Sequence, residues 1–266
     1  MKFEIVTIFP DFFRGPFDFG IIRRAKEAGL VEINLHDLRA FTKDKHRTVD
    51  DRPFGGGEGM VLKPEPIFEC IEGIRSADAL ARDKSRESVI LLSAAGQRFD
   101  QKLAAELSQL DRITIICGRY EGVDERVAEE LADREISIGD FVLSGGELAA
   151  ALIVDTVTRL IPGALGNEAS SKQESFTHGE HVVEGEPSST CGSGGLLDYP
   201  HYTRPAEFRG MSVPEPLLNG NHEEIKRWRR KEALRKTLRN RPELLDEVEL
   251  SNEDRRLLDE LRSERS

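Results

Sequence analysis

Three stretches of this 266-residue chain combine glycine, charge and apolar residues closely enough to do chemistry. The first is Asp50-Asp51-Arg52-Pro53-Phe54-Gly55-Gly56-Gly57-Glu58-Gly59-Met60. Four glycines in five positions let a backbone come close to a ligand or to another segment. No Gly-Lys-Ser/Thr follows, so this is not a phosphate-cradling P-loop, and a merely flexible loop is the plainer reading. The second is Cys117-Gly118-Arg119-Tyr120-Glu121-Gly122-Val123-Asp124-Glu125-Arg126, and the third Ser137-Ile138-Gly139-Asp140-Phe141-Val142-Leu143-Ser144-Gly145-Gly146-Glu147. Both mix apolar residues with glycines that bare main-chain NH and CO groups. Neither carries a lysine or a glycine-rich phosphate cradle, so a flat nucleoside-type ligand suits them better than NAD or ATP.

The elements that must hold these loops alternate in type. Residues 3–9 are apolar and β-prone, as in a strand covered on both faces. Asp11 is placed to cap a helix running toward Gly29. Val31, Ile33 and Leu35 alternate as a second strand. Pro64 opens a helix whose Ile67, Cys70, Ile71 and Ile74 share one side. Residues 89–92 form a strand, Asp100 caps a helix, and residues 113–117 form a buried strand. Residues 124–132 are helical, 136–138 a short strand and 146–161 a long apolar helix. Strands alternating with helices predict a parallel sheet with helices on both faces. Ligands in such sheets bind beyond the carboxyl ends of the strands, which is where the second and third loops fall.

Pro162-Gly163 breaks this pattern. A Gly-, Ser-, Glu- and Thr-rich linker follows through Asp198, and mobile linkers beside a site often act as lids. From Tyr199 a small helical unit follows, with Ile225, Trp228, Leu234 and Leu238 on its apolar side. Ser251-Asn252-Glu253-Asp254 reads as a capping box for a last helix. The organisation is therefore 1–161, a linker over 162–198, and 199–266.

Hydrophobic residues make up 38% and charged residues 33%, ordinary for a globular chain. No apolar run is long enough to span a bilayer, and the first residues lack a secretory leader. The three cysteines, Cys70, Cys117 and Cys191, form no pair pattern, so a reducing cytoplasmic setting is expected. Net charge is −11, which argues against a nucleic-acid partner. Residues 222–241, however, hold nine Lys/Arg against three Glu, a local +6 that leaves −17 elsewhere. Such a basic patch can grip phosphates whatever the bulk charge, because salt screens distant charge; a solvated helical face is the bland alternative.

Taken in order, Thr48-Val49-Asp50-Asp51-Arg52-Pro53-Phe54-Gly55-Gly56-Gly57, the two strand-end loops, Arg159-Leu160-Ile161-Pro162-Gly163 and Gly195-Leu196-Leu197-Asp198-Tyr199-Pro200-His201-Tyr202-Thr203-Arg204-Pro205 resemble the bacterial tRNA (guanine-N1)-methyltransferase family, TrmD. Gly220-Asn221-His222, Arg227-Trp228-Arg229 and Arg241-Pro242-Glu243-Leu244-Leu245 extend the likeness over nearly the whole chain. The resemblance implies a SPOUT-type α/β domain with a trefoil knot near its C-terminal edge, and a small all-helical C-terminal domain. General topology rules would draw an open sheet instead. It implies methyl transfer from S-adenosylmethionine to N1 of guanine at position 37 of tRNA, next to the anticodon. It further implies a homodimer with shared active sites, a helical domain that grips the anticodon arm, and a cytoplasmic setting. Cofactor-pocket positions fall on Gly118, Tyr120, Glu121, Ile138, Gly139, Asp140, Phe141, Val142 and Leu143, with Asp198 near the methionine end. Arg159 matches the arginine that contacts the target base. Mg²⁺ is a candidate accessory ion for which the sequence shows no ligand set.

Two departures stand out. The family's catalytic aspartate lies in an Asp-Ser-Phe triplet, and here Glu174-Ser175-Phe176 stands in its place, so Glu174 is the expected base. The stretch 177–194 is longer than the family pattern and contains His178, His181 and Cys191, with neither a fourth partner nor the spacing of a zinc site. The rival readings are a catalytically weakened tRNA- or cofactor-binding homologue and a SPOUT enzyme acting on another RNA site. An NAD-type Rossmann enzyme lacks its fingerprint.

Overall fold

The structure, a computed structural model, describes residues 1–77, 83–166, 174–177 and 193–264. The chain divides into two compact units, Met1–Gly166 and Asn167–Ser266.

The first unit runs β1 (Lys2–Thr7), α1 (Gly20–Glu27), β2 (Glu32–Asp37), β3 (Asp50–Asp51), β4 (Val61–Leu62), α2 (Pro64–Ala77), β5 (Glu87–Arg98), α3 (Gln101–Ser108), β6 (Arg112–Cys117), α4 (Glu125–Glu130), β7 (Arg134–Ser137) and α5 (Glu147–Thr158). Five strands form one sheet in the order β2-β1-β6-β5-β7. Every neighbouring pair in it is parallel. Strand residues alternate between two cores. Ile90, Leu92, Ile113, Ile115 and Cys117 pack with Ile22, Leu103, Leu107, Ile153 and Val157 from α1, α3 and α5. Val89, Leu91 and Ile116 pack with Ile67, Ile71, Ile74 and Val127 from α2 and α4. The sheet is thus covered on both faces, which is why its strands read as nearly unbroken apolar runs.

The expected helix from Asp11 to Gly29 is corrected. Pro10–Phe13 makes one 3₁₀ turn and α1 begins only at Gly20. Gly15 sits at φ +96°, and Pro16 after it lacks the NH a continuous helix would need. Asp11 pairs with Arg14 at 3.0 Å instead of capping. Asp100, in contrast, caps α3 by accepting from the Leu103 amide at 2.8 Å. β5 runs past Leu92 to Arg98 through an irregularity between Leu92 and Gln97. There the strand crosses β7 so closely that a Cβ on Gly96 would lie 2.4 Å from the Glu135 carbonyl carbon.

The second unit contains β8 (Glu207–Phe208), β9 (Met211–Ser212), α6 (His222–Asn240) and α7 (Asn252–Ser263). It is not all helical. β8 and β9 form a hairpin turned by Arg209 and Gly210, both at positive φ, the chemistry two-residue hairpins require. The capping box is present, with Ser251 Oγ accepting from the Asp254 amide and the Asp254 carboxylate accepting from the Ser251 amide, each at 3.1 Å. Leu196, Leu234, Leu244, Leu257, Leu258 and Leu261 form the core, with Phe176 and Leu197 packed against it. The described end of the expected linker therefore belongs to the interior of this unit. Arg230 binds both Asp254 oxygens, at 2.6 and 2.9 Å, and joins α6 to α7.

Candidate functional site

The loops after β6 and β7 meet at the carboxyl edge of the sheet, on either side of β5. The Gly146 amide donates to the Gly118 carbonyl at 2.9 Å, and Arg119 and Gly145 form an antiparallel bridge. The approach demands glycine. A Cβ on Gly146 would stand 2.8 Å from Cys117 Cα, and one on Gly118 would stand 3.3 Å from the Leu92 carbonyl oxygen. Gly118, Tyr120 and Glu121 lie on one loop, and Ile138, Gly139, Asp140, Phe141, Val142 and Leu143 on the other. Tyr120 adopts φ +60° and is half exposed, while Phe141 and Val142 present exposed apolar surface. Gly139, at φ +148°, leaves room for the Phe141 ring, whose edge a Cβ would strike at 2.6 Å. The Ser137 hydroxyl accepts from the Gly139 amide at 3.3 Å and donates to its carbonyl at 3.1 Å, fixing the turn.

The first glycine loop joins this edge. β3 and β4 pair Asp50 with Leu62 and Asp51 with Val61, so residues 52–60 form the tip of a hairpin. The Glu121 amide donates to the Met60 carbonyl at 3.0 Å, and a Cβ on Gly59 would enter the Glu121 carboxylate. Close backbone approach, the sharper of its two readings, is thus realised at Gly59 against the neighbouring loop. Asp124 caps α4 through the Arg126 amide, and the Arg126 guanidinium, at 2.7 Å, holds its carboxyl below the usual range.

Arg159 is the C-cap of α5, at the opposite end of that helix from Gly146. At 1.5 Å per residue the helix separates it from the paired loops by about 18 Å. Within the first unit the structure does not bring Arg159 to the loops.

Glu174 and Asp198 belong to the second unit. The Phe176 amide donates to the Leu196 carbonyl at 2.9 Å and the Asp198 amide to Ser175 Oγ at 2.9 Å. Phe176 adopts φ +68°. The Glu-Ser-Phe triplet is therefore registered onto the Gly195-Leu196-Leu197-Asp198 run, holding Glu174 and Asp198 on paired segments. The Asp198 carboxylate meets His201 Nε2 at 2.9 Å, a contact that sequence reading did not anticipate.

The basic segment is less cationic than its composition. Arg227, Arg230, Lys231, Arg235 and Arg241 pair with carboxylates of the same unit. Lys226, Arg229, Lys236 and Arg239 are exposed and have no carboxylate partner among the described residues. Their spacing of three, seven and three residues places them in one stripe along α6. Arg229 lies over the Tyr199 ring at 4.9 Å, and Trp228 is half-buried with Tyr202 at 6.1 Å. Among the described residues no group of His, Cys, Asp and Glu is arranged to hold a metal ion; His178, His181 and Cys191 lie outside them. No described helix is long and apolar enough to cross a membrane.

Fold and loops together define an α/β protein with two interlocked glycine loops at the carboxyl edge of its sheet and a second unit whose longest helix carries a stripe of four exposed cations. The family described as tRNA (Guanine-1)-methyltransferase TrmD matches residues 1–247. A protein of Koribacter versatilis named tRNA (guanine-N(1)-)-methyltransferase is 64% identical over 263 residues, covering 99% of each chain. Proteins of the same name from Dictyoglomus turgidum and Geobacter metallireducens are 52% and 51% identical, covering 98–99% of this chain and 98% of their own. This chain belongs to the tRNA (guanine-N1)-methyltransferase family.

Proposed function

We propose that the protein transfers the methyl group of S-adenosylmethionine to N1 of guanine 37 in tRNA, working as a homodimer in the cytoplasm. The observation that carries this reading is the pair of glycine loops locked together beyond β6 and β7. Their residues fit such a donor. Tyr120, Phe141 and Val142 offer apolar surface to an adenine, and Gly118 and Gly139 leave main-chain groups bare where a side chain would fill the space. The donor, when bound, supplies an electrophilic methyl on sulfur.

The protein's task is alignment and proton handling. Guanine N1 carries a proton at neutral pH, and Glu174 is the base that takes it. Arg159 faces O6, where negative charge gathers as the proton leaves. Asp198 receives the donor's ammonium. The separation of Arg159 from the loops along α5 supports a site completed by a second copy of the chain. A knot formed where the loops after β6 and β7 pass each other accounts for their close main-chain crossings. In this division of labour residues 1–161 hold the donor, 162–198 present the base, and 199–266 grip the anticodon arm through the α6 stripe. Mg²⁺ has no assigned place in this scheme.

Purified protein, labelled S-adenosylmethionine and a tRNA with guanine 37 should yield N1-methylguanosine, mapped by mass spectrometry. Ribose methylation, or a modified nucleotide elsewhere, would replace this reading with a different RNA site. Absence of transfer would leave a binding homologue.

A further inference from the structure

An ion pair between a buried carboxylate and a partly exposed arginine at the sheet edge plays no part in the chemistry above. Glu147, the first residue of α5, is 1% exposed and lies where four segments converge. Its Oε1 accepts from the Thr7 hydroxyl, at the end of β1, at 2.7 Å. Its Oε2 accepts from Arg119 Nε at 2.9 Å, and Arg119 Nη2 is also 2.9 Å away. Arg119 Nη1 donates to the Ser144 carbonyl, in the loop after β7, at 3.0 Å. The guanidinium lies over the Phe9 ring at 4.6 Å, and the Phe9 amide donates to Thr7 Oγ1 at 2.9 Å, closing the circuit. Gly145 exists for this path, because a Cβ there would fall 2.1 Å from Arg119 Nε.

We infer that Arg119 and Glu147 are positioning residues for the methyl donor, acting as one clamp that sets the gap between the two loops. The inference rests on the reading that those loops hold the donor. Arg119 is in one loop, between Gly118 and Tyr120, and its fork grips the other at Ser144 and Glu147. A buried carboxylate this well satisfied fixes its partners in one arrangement. A displacement of about 1 Å at such a clamp is enough to cost two orders of magnitude in a reaction that depends on alignment. Lysine at 119 would keep the charge and lose the planar fork, so it could not hold Glu147 and Ser144 together.

The test is calorimetric binding of S-adenosylhomocysteine to the full chain, with thermal melting and the KM for tRNA measured alongside. Arg119→Lys and Glu147→Gln should each weaken binding about 10–100-fold. The KM for tRNA should stay within about twofold, which general loosening of the fold would not spare. The double variant should bind no worse than the weaker single, as expected of residues acting as a unit. Thr7→Val, which removes one donor and keeps the shape, should weaken binding by about threefold or more and serves if Glu147→Gln fails to fold. Unchanged binding in folded Arg119→Lys and Thr7→Val, or effects that multiply in the double variant, would overturn the clamp. No heat with the wild-type protein would overturn the reading of the loops and the clamp with it.

Discussion

At the scale of single residues, the greatest chemical load in the proposed reaction falls on Glu174. Glu174→Gln keeps the shape and removes the basic oxygen, so kcat should fall about 10²–10⁴-fold while binding of S-adenosylhomocysteine persists. Undiminished turnover in that variant would remove Glu174 as the base. Two other residues that could pass for nucleophiles are instead inert. Burial, with Glu4 nearby, pushes the Cys70 thiol up to about 12. Burial likewise drives Cys117 well above its ordinary value, with Glu147 adding and Arg119 opposing. A thiol held protonated neither attacks nor ligates. In a Cys191→Ser variant, native protein should therefore react with a thiol reagent at pH 8 only after unfolding. Fast stoichiometric labelling of the folded variant would contradict the burial of both groups.

Among the elements, α6 shows how composition misleads. Nine cations in twenty residues promised a strong basic patch, yet five of them are engaged in ion pairs within the unit. The stripe of Lys226, Arg229, Lys236 and Arg239 is what remains for phosphate. Lys236→Ala with Arg239→Ala should weaken tRNA binding and flatten its dependence on log salt by about 0.7–0.9 for each lost contact. An unchanged slope would locate the RNA elsewhere. α7 depends on a different charge. Burial alone would raise the Asp254 carboxyl, but the Arg230 guanidinium and the Ser251 hydroxyl and amide hold it below its ordinary 3.8. A depressed carboxyl stabilises the fold at all pH values above 3.8, and that share is lost as pH falls below it through the folded value. The wild-type protein should lose stability in acid more steeply than Asp254→Asn, which lacks this titration. At neutral pH that variant should be about 2–3 kcal/mol less stable in denaturant melts, because it leaves Arg230 without its carboxylate.

For the whole molecule, the arrangement of site residues makes a prediction about assembly. Arg159 stands a helix length from the loops, and in the proposed homodimer one copy supplies the loops and the other supplies Arg159. Mixed dimers of an Arg159→Ala chain with a Gly139→Val chain should therefore recover transfer in one of their two sites, although either homodimer is inactive. Complementation is measured on dimers isolated by two affinity tags, and its absence would argue for sites built within one chain.

The alternation of apolar strands and capped helices was enough to determine a parallel α/β sheet. The Ser251 and Asp100 caps, the two strand-end loops and the family were equally legible, because each is written in contiguous residues. Local rules failed where the deciding partner was distant in sequence or the interruption subtle. Gly15-Pro16 broke the first helix, the Arg209-Gly210 turn put a hairpin in a helical unit, and carboxylates in α7 neutralised part of α6. Only the tertiary structure could join Thr7, Arg119 and Glu147, which lie up to 140 residues apart. Burying a carboxylate is favourable only when partners from separate strands arrive together, and no stretch of sequence contains all of them.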